Sequence, residues 1–116
     1  MVGLGGAIGS ALRYGISIIP ADNAGGFPFK TLLINIIGSF VIGLIAALSE
    51  KYANLSPDWI LLLKTGVCGG FTTFSTFALE STTLMQSGKI GFAAIYMAAS
   101  VVVSVAMVVL AQLLVR

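Results

Sequence analysis

Long apolar runs separated by short polar punctuation give this chain its outline. Apolar residues dominate positions 2–19, 31–49, 58–84 and 90–115. Each run is close to the ~20 residues that a helix needs to cross a bilayer. The pattern predicts an all-α integral membrane protein of four transmembrane helices in one domain, 1–116. The punctuation fits. Pro20 to Phe29 holds two prolines, Asp22, Asn23 and Gly25-Gly26, a loop composition. Glu50 and Lys51 close the second run. Ser56-Pro57-Asp58 opens the third with a capping residue, a proline for the first turn and an acid for the positive helix end. Gln86-Ser87-Gly88 forms the last turn, with Gly88 as a C-terminal cap. The first run is short and has Arg13 as its only charge. It lacks a charged start followed by a cleavage site, so it reads as a span and not as a signal peptide. Gly5 and Gly9 form a GxxxG pair suited to close helix packing.

The third run departs from an ordinary span. Its middle reads Gly66-Val67-Cys68-Gly69-Gly70-Phe71-Thr72-Thr73-Phe74-Ser75-Thr76-Phe77. Each glycine costs a helix about 1 kcal/mol against alanine. The four hydroxyl residues at positions 72–76 can bond to nearby backbone instead of leaving the ladder intact. The sequence therefore predicts a helix broken at mid-membrane, near 69–76. Broken backbone at that depth is tolerated only where protein or a wet cavity satisfies it, and it often marks an ion or substrate site. The alternative is a small-residue packing surface.

Polar residues inside the other runs fall at four-residue spacing, which puts them on one helix face. Thr31, Asn35 and Ser39 form such a stripe in the second run, and Tyr96, Ser100 and Ser104 in the fourth. Asn35 is the costly member, because an amide in hydrocarbon needs partners. It either bridges helices or lines a polar path.

Composition narrows the function classes. With 58% hydrophobic residues, 9% charged and a mean hydropathy of +1.07, there is no room for a soluble catalytic domain. Histidine is absent and Cys68 is the single cysteine, which excludes His/Cys metal clusters, Cys-His nucleophiles and an intrachain disulfide. Cys68 reads as a small buried packing residue. No nucleophile–base pair or redox centre is present, so an enzyme is not expected. A net charge of +2 is too small and dispersed for nucleic-acid binding; the expected surroundings are membrane lipid. If the helices alternate, Lys51, Lys64 and Arg116 share one side and Arg13, Lys30 and Lys89 the other. That balance leaves the positive-inside rule without a bias. It is compatible with insertion in both orientations and an antiparallel dimer.

Phe74 and Phe77 lie three apart, side by side on a helix after the break. Aromatic ring edges are positive, so they can touch a small anion. Thr72, Thr73, Ser75, Thr76, Ser81, Thr82 and Thr83 supply hydroxyl donors around them. Without a strong fixed charge, such a path binds an anion without trapping it, as conduction requires. The alternative for the phenylalanines is lipid-facing or core packing. Arg13 reads as an interfacial anchor or vestibule charge. Glu80 reads as an interfacial acid at the mouth of the path or as a membrane carboxylate.

At these residues the chain resembles the Fluc (CrcB) family of small fluoride channels. The resemblance covers essentially the whole chain. It rests on Gly-Gly-Ala-Ile-Gly-Ser-Ala-Leu-Arg-Tyr at 5–14, Thr-Leu-Leu-Ile-Asn-Ile-Ile-Gly-Ser-Phe at 31–40 and the 66–77 stretch above. It implies an antiparallel, dual-topology homodimer of four-helix subunits with two fluoride pores, passive export and fluoride resistance in a bacterial inner membrane. Phe74 and Phe77 match pore phenylalanines, Asn35 the pore asparagine, and Tyr96, Ser100 and Ser104 the polar positions of the fourth helix. Gly69 and Thr72 match the backbone carbonyl donors of a structural sodium ion between the subunits. Arg13 matches a first-helix arginine and Glu80 an acid near the pore mouth. The one departure is the short start before Gly5, which bears on the first helix and not on function.

Two rival readings share the composition. A proton-coupled small multidrug transporter needs a membrane-embedded carboxylate, for which the chain offers only Glu50 and Glu80, both near span ends. A non-transporting assembly factor would leave Asn35 and the hydroxyl clusters without a purpose.

Overall fold

The computed structural model describes residues 2–19, 27–52, 54 and 56–115, and all regular structure among them is helical. Helix α1 spans Val2–Ser17 and α2 spans Phe29–Lys51. Helix α3 is assembled from Pro57–Ile60, a π-helical stretch over Leu61–Cys68 and a last turn, Gly69–Phe71. The chain then leaves helical geometry at residues 72–74 and re-enters it in α4, Ser75–Gln86. Helix α5 runs over Ile90–Val115. The loop expected before α2 falls mostly on residues 20–26, which lie outside the described residues.

Three segments are long and apolar enough to cross a membrane: Phe29–Lys51, Pro57–Gln86 with its break, and Ile90–Val115. The molecule is a multi-pass helical membrane protein. Helix α1 has 16 residues where the sequence pattern extends over 2–19. At 1.5 Å per residue it rises about 24 Å, short of a ~30 Å hydrocarbon core. The chain turns at its end, where the Ile18 N–H bonds the Tyr14 carbonyl at 3.1 Å.

Three polar ties orient the helices. Lys30 Nζ donates to the Ser17 carbonyl at 2.9 Å, joining the end of α1 to the start of α2. Thr31 Oγ1 donates to Glu80 Oε1 at 2.5 Å, joining the start of α2 to α4. Lys51 Nζ donates to the Val115 carbonyl at 2.8 Å, bringing the ends of α2 and α5 together. The directions therefore alternate from one span to the next.

Packing relies on small residues. Helix α1 lies against α3, and α2 against α5. A side chain on Gly66 would come within 2.7 Å of the Gly5 Cα, and one on Gly70 within 2.6 Å of the Gly6 carbonyl. The two backbones touch because neither carries a Cβ there. Lipid tails are as apolar as leucine, so this contact, and not a hydrophobic gradient, holds α1 in place. The core is the cluster of Phe27, Leu84, Ala93 and Tyr96, while Val101, Val102, Val105, Leu113 and Leu114 on α5 face outward.

The helix ends follow their residues with one exception. Gly88 adopts φ +80°, and the Lys89 and Gly88 amides bond the Leu84 and Met85 carbonyls at 2.8 and 3.1 Å. That is a Schellman closure, which needs the left-handed residue glycine supplies. Ser56 does occupy the N-cap position of α3, with Pro57 and Asp58 in the first turn, but its side chain makes no capping bond. The proline has no N–H and its fixed φ starts the turn unaided.

The α1–α3 contact gives a direct test. Gly5→Ala places a methyl 2.8 Å from the Gly66 Cα, against backbone that cannot rotate away, whereas nothing lies within 4 Å of a Cβ at Gly3. Gly5→Ala is expected to lower stability by about 1–3 kcal/mol. Gly3→Ala should stay within about 0.5 kcal/mol of the parent. Unfolding in detergent measures both, and equal losses would contradict the packing described.

Candidate functional site

The site is built on the break between α3 and α4. Thr72 ends α3 by leaving helical geometry at φ −80°, ψ 158°. Its N–H and its Oγ1 both bond the Cys68 carbonyl, at 3.0 and 2.9 Å, which closes the helix end. The next peptide is held from another helix. Asn35 Oδ1 accepts the Thr73 N–H at 3.0 Å, and Asn35 Nδ2 donates to the Thr73 carbonyl at 3.2 Å. Thr73 Oγ1 in turn accepts the Thr76 N–H at 3.2 Å, at the entry to α4.

These bonds redirect two ladder amides. An unbroken helix would deliver the Thr73 N–H to the Gly69 carbonyl and the Thr76 N–H to the Thr72 carbonyl, each four residues back. Here those amides go to the Asn35 side chain and the Thr73 hydroxyl. The carbonyls of Gly69 and Thr72 are released from the ladder. Gly69 is exposed, and a Cβ there would meet nothing within 4 Å. The glycines themselves stay helical, so the break falls after the Gly69-Gly70 pair and not at it. Gly70 serves the packing against α1 instead. The break and the small-residue packing surface, alternatives in the sequence, coexist on adjacent residues.

Beside the break lies a groove of about 300 Å³. Asn35, Ser39, Gly69, Thr72, Thr73, Phe74, Phe77, Ser100 and Ser104 line it, and among the described residues its lining contains no carboxylate and no basic group. The Phe74 and Phe77 rings pair with centroids 5.5 Å apart and planes at 49°. Phe77 also rests on Tyr96, 5.2 Å between centroids. Phe74 is 77% exposed, and Tyr96 is fully buried.

The α5 stripe is in part chemically unsatisfied. Ser100 Oγ and Ser104 Oγ are buried and make no hydrogen bond among the described residues, whereas Tyr96 Oη lies beside Thr31 and the Glu80 carboxylate. A buried hydroxyl without a partner costs about 1–3 kcal/mol. Ser100 and Ser104, one turn apart on one helix face, leave two donors with nothing to donate to.

The remaining candidates separate. Arg13 and Thr76 line a second cavity of about 200 Å³ together with Lys30, Thr31 and Thr73. Thr73 thus borders both cavities. Ser75 lines neither of these two; it is exposed, its hydroxyl 3.5 Å from that of Thr73. Glu80 is half-buried in its bond to Thr31. Of the other hydroxyls, Ser81, Thr82 and Thr83 all donate back to carbonyls of their own helix, at 2.8, 3.0 and 2.9 Å. They are satisfied locally and offer no free donor. Thr31, Ser39 and Lys30 belong with the site although sequence reasoning did not single them out for it. The four-residue stripe shared with Asn35 was the signal for the first two.

Apolar helices that surround a hydroxyl- and ring-lined groove at a helix break define a small polytopic membrane protein of the transport class. Comparison with known proteins makes this specific. Residues 1–112 match the family described as CrcB-like protein, Camphor Resistance (CrcB), and the chain belongs to that family. The fluoride-specific ion channel FluC of Agrobacterium fabrum is 48% identical over 109 residues, 93% of this chain and 87% of that protein. The FluC of Chlorobium phaeobacteroides is 45% identical over 102 residues, 88% and 79% of the two chains. FluC 1 of Yersinia pseudotuberculosis is 42% identical over 113 residues, 97% and 89%. These relatives carry the name of a channel and not of an enzyme.

The unpartnered hydroxyls make a measurable claim about stability. Ser104→Ala removes a donor that bonds to nothing in the protein. Thermal unfolding in detergent should leave it unchanged or raise stability by up to about 1–2 kcal/mol. A loss of that size would mean that the hydroxyl has a partner in the fold.

Proposed function

We propose that the chain is a passive, fluoride-selective channel of a bacterial inner membrane that lets cytoplasmic fluoride leave and so confers fluoride resistance. The buried, unpartnered hydroxyls of Ser100 and Ser104, both lining the groove, carry the reading. Hydroxyl donors without acceptors are suited to an anion, and the groove has no carboxylate to repel one. The name of the relatives, fluoride-specific ion channels, supplies the identity of that anion. Fluoride holds its water tightly, so its path must replace that water step by step. The serines, Asn35, Thr73, Ser75 and Thr76 offer hydrogen-bond donors, and the Phe74 and Phe77 ring edges offer weak positive potential. Weak, repeated contacts allow entry without a trap. The cavity with Arg13 and Lys30 raises the local anion concentration ahead of the break. Glu80, held by Thr31, sits as the acid of the vestibule.

The active form is an antiparallel homodimer with two pores. Released backbone carbonyls at membrane depth cannot be left to lipid, which satisfies no hydrogen bond. A second copy covers them, and the even split of basic residues leaves it free to insert inverted. The carbonyls of Gly69 and Thr72 fit a structural sodium ion at that interface. They are freed from the ladder, and backbone oxygens are proper ligands for a hard cation. A sodium ion held by the Gly69 and Thr72 carbonyls would supply the positive charge that offsets their dipoles.

The test is efflux from liposomes loaded with potassium fluoride, started with valinomycin and followed with a fluoride electrode beside a chloride control. Fast fluoride loss with little chloride movement is expected, and none from well-folded protein would overturn the reading. Phe74→Ile and Phe77→Ile should each slow efflux at least about tenfold, the value of roughly 1.4 kcal/mol of lost contact, while the dimer still forms. Unchanged efflux in both would remove the rings from the path. The multidrug-transporter reading predicts instead drug-driven proton release that Glu80→Gln abolishes.

A further inference from the structure

The two carbonyls that fit the cation are free for a reason visible in the hydrogen bonds. The amide that would close on the Gly69 carbonyl is taken by Asn35 Oδ1 at 3.0 Å. The amide that would close on the Thr72 carbonyl is taken by Thr73 Oγ1 at 3.2 Å. Neither side chain need touch an ion to matter. A carbonyl has two lone pairs, but one already engaged by a ladder amide is a weaker and less freely directed ligand for a cation than one left open. An intramolecular hydrogen bond of this kind is worth about threefold to tenfold in an equilibrium constant.

We infer that Asn35 and the Thr73 hydroxyl are positioning residues for the cation at the break, acting by withholding ladder amides from its ligand carbonyls. The inference rests on the sodium reading of the preceding section. Three features make the arrangement exclusive. Both ends of the Asn35 amide are engaged, the nitrogen on the Thr73 carbonyl at 3.2 Å, so it cannot rotate away. Thr72 is anchored twice to the Cys68 carbonyl, which fixes the peptide on the other side of the exchange. The Thr72 methyl also fills the space over Gly38, so α2 carries both the amide clamp and the surface against which the break rests. Helix α2 thereby sets the ligand geometry of a site that lies on the third span.

A purely structural role for these side chains would lower stability at any salt composition. A positioning role changes the response to the ion itself, which efflux cannot report because Asn35 also lines the groove. The experiment is therefore a sodium titration. Full-length protein in detergent is titrated with sodium chloride against N-methylglucamine chloride at constant chloride, and thermal unfolding is followed. An ion that binds only the folded protein raises the melting temperature by mass action, and the curve gives an apparent midpoint. The parent protein should show that rise. Asn35→Leu and Thr73→Val, each monodisperse on size exclusion, should shift the midpoint up about tenfold. Thr73→Ser keeps the hydroxyl and should return to within about threefold of the parent. If Asn35→Leu does not fold, the two Thr73 variants decide the matter alone. Unchanged midpoints with a uniformly lower melting temperature would overturn the positioning role and leave the cation site standing. No sodium response in the parent protein would remove the cation site and this inference with it.

Discussion

The two hydrogen bonds between Asn35 and the Thr73 peptide are the constraint on which the rest of the site depends. A helix broken at membrane depth exposes amides and carbonyls that lipid cannot satisfy, at several kcal/mol each. Asn35 meets one amide and one carbonyl with a single side chain, and it does so from another helix. The break is therefore a tertiary feature. It exists because α2 brings an amide to the right height, and because Gly38 lets the two helices approach closely enough at Thr72. Everything downstream follows from the break, including the entry into α4, the turn of Phe74 and Phe77 toward the groove, and the freed carbonyls.

Set against this satisfied cluster is the stripe on α5. Thr72, Thr73 and Asn35 all find partners, whereas Ser100 and Ser104 find none. A membrane protein that leaves buried hydroxyls unpartnered gives up stability there. The neighbouring hydroxyls of Ser81, Thr82 and Thr83 show the contrast. They look identical in composition but bond to the carbonyl one turn back and have no capacity left. Hydroxyl count alone would have grouped the two sets; burial and partner separate them.

Glycine plays two roles that are easily confused in a sequence. Gly5, Gly66 and Gly70 bring α1 and α3 into backbone contact, and none of them needs unusual dihedral angles. Gly88 alone among the described residues takes a left-handed conformation, where it closes α4. The Gly69-Gly70 pair was the strongest apparent signal for a break, yet both residues are helical. The break belongs to the threonines after them. The wide π-helical turn before them, which includes Gly66 in contact with Gly5, had no signature in the residue pattern.

The sequence by itself determined the membrane class, because a chain with 58% hydrophobic and 9% charged residues has no soluble solution. It also determined the helices at their approximate limits, because apolar run length and end signals are local properties. The polar faces of α2 and α5 were legible for the same reason, since four-residue spacing fixes a shared face before any partner is known. Tertiary structure alone decided what those faces do. Whether Asn35 bridges helices or lines a path could not be read along the chain; in the structure it ties α2 to the break and borders the groove beside it. Which hydroxyls are free depended on what lies across the interface, and that is a property of packing between residues as far apart as 35 and 73. A hydrogen bond between distant residues has no local signature, so the element that opens the helix remained invisible until the helices were placed together.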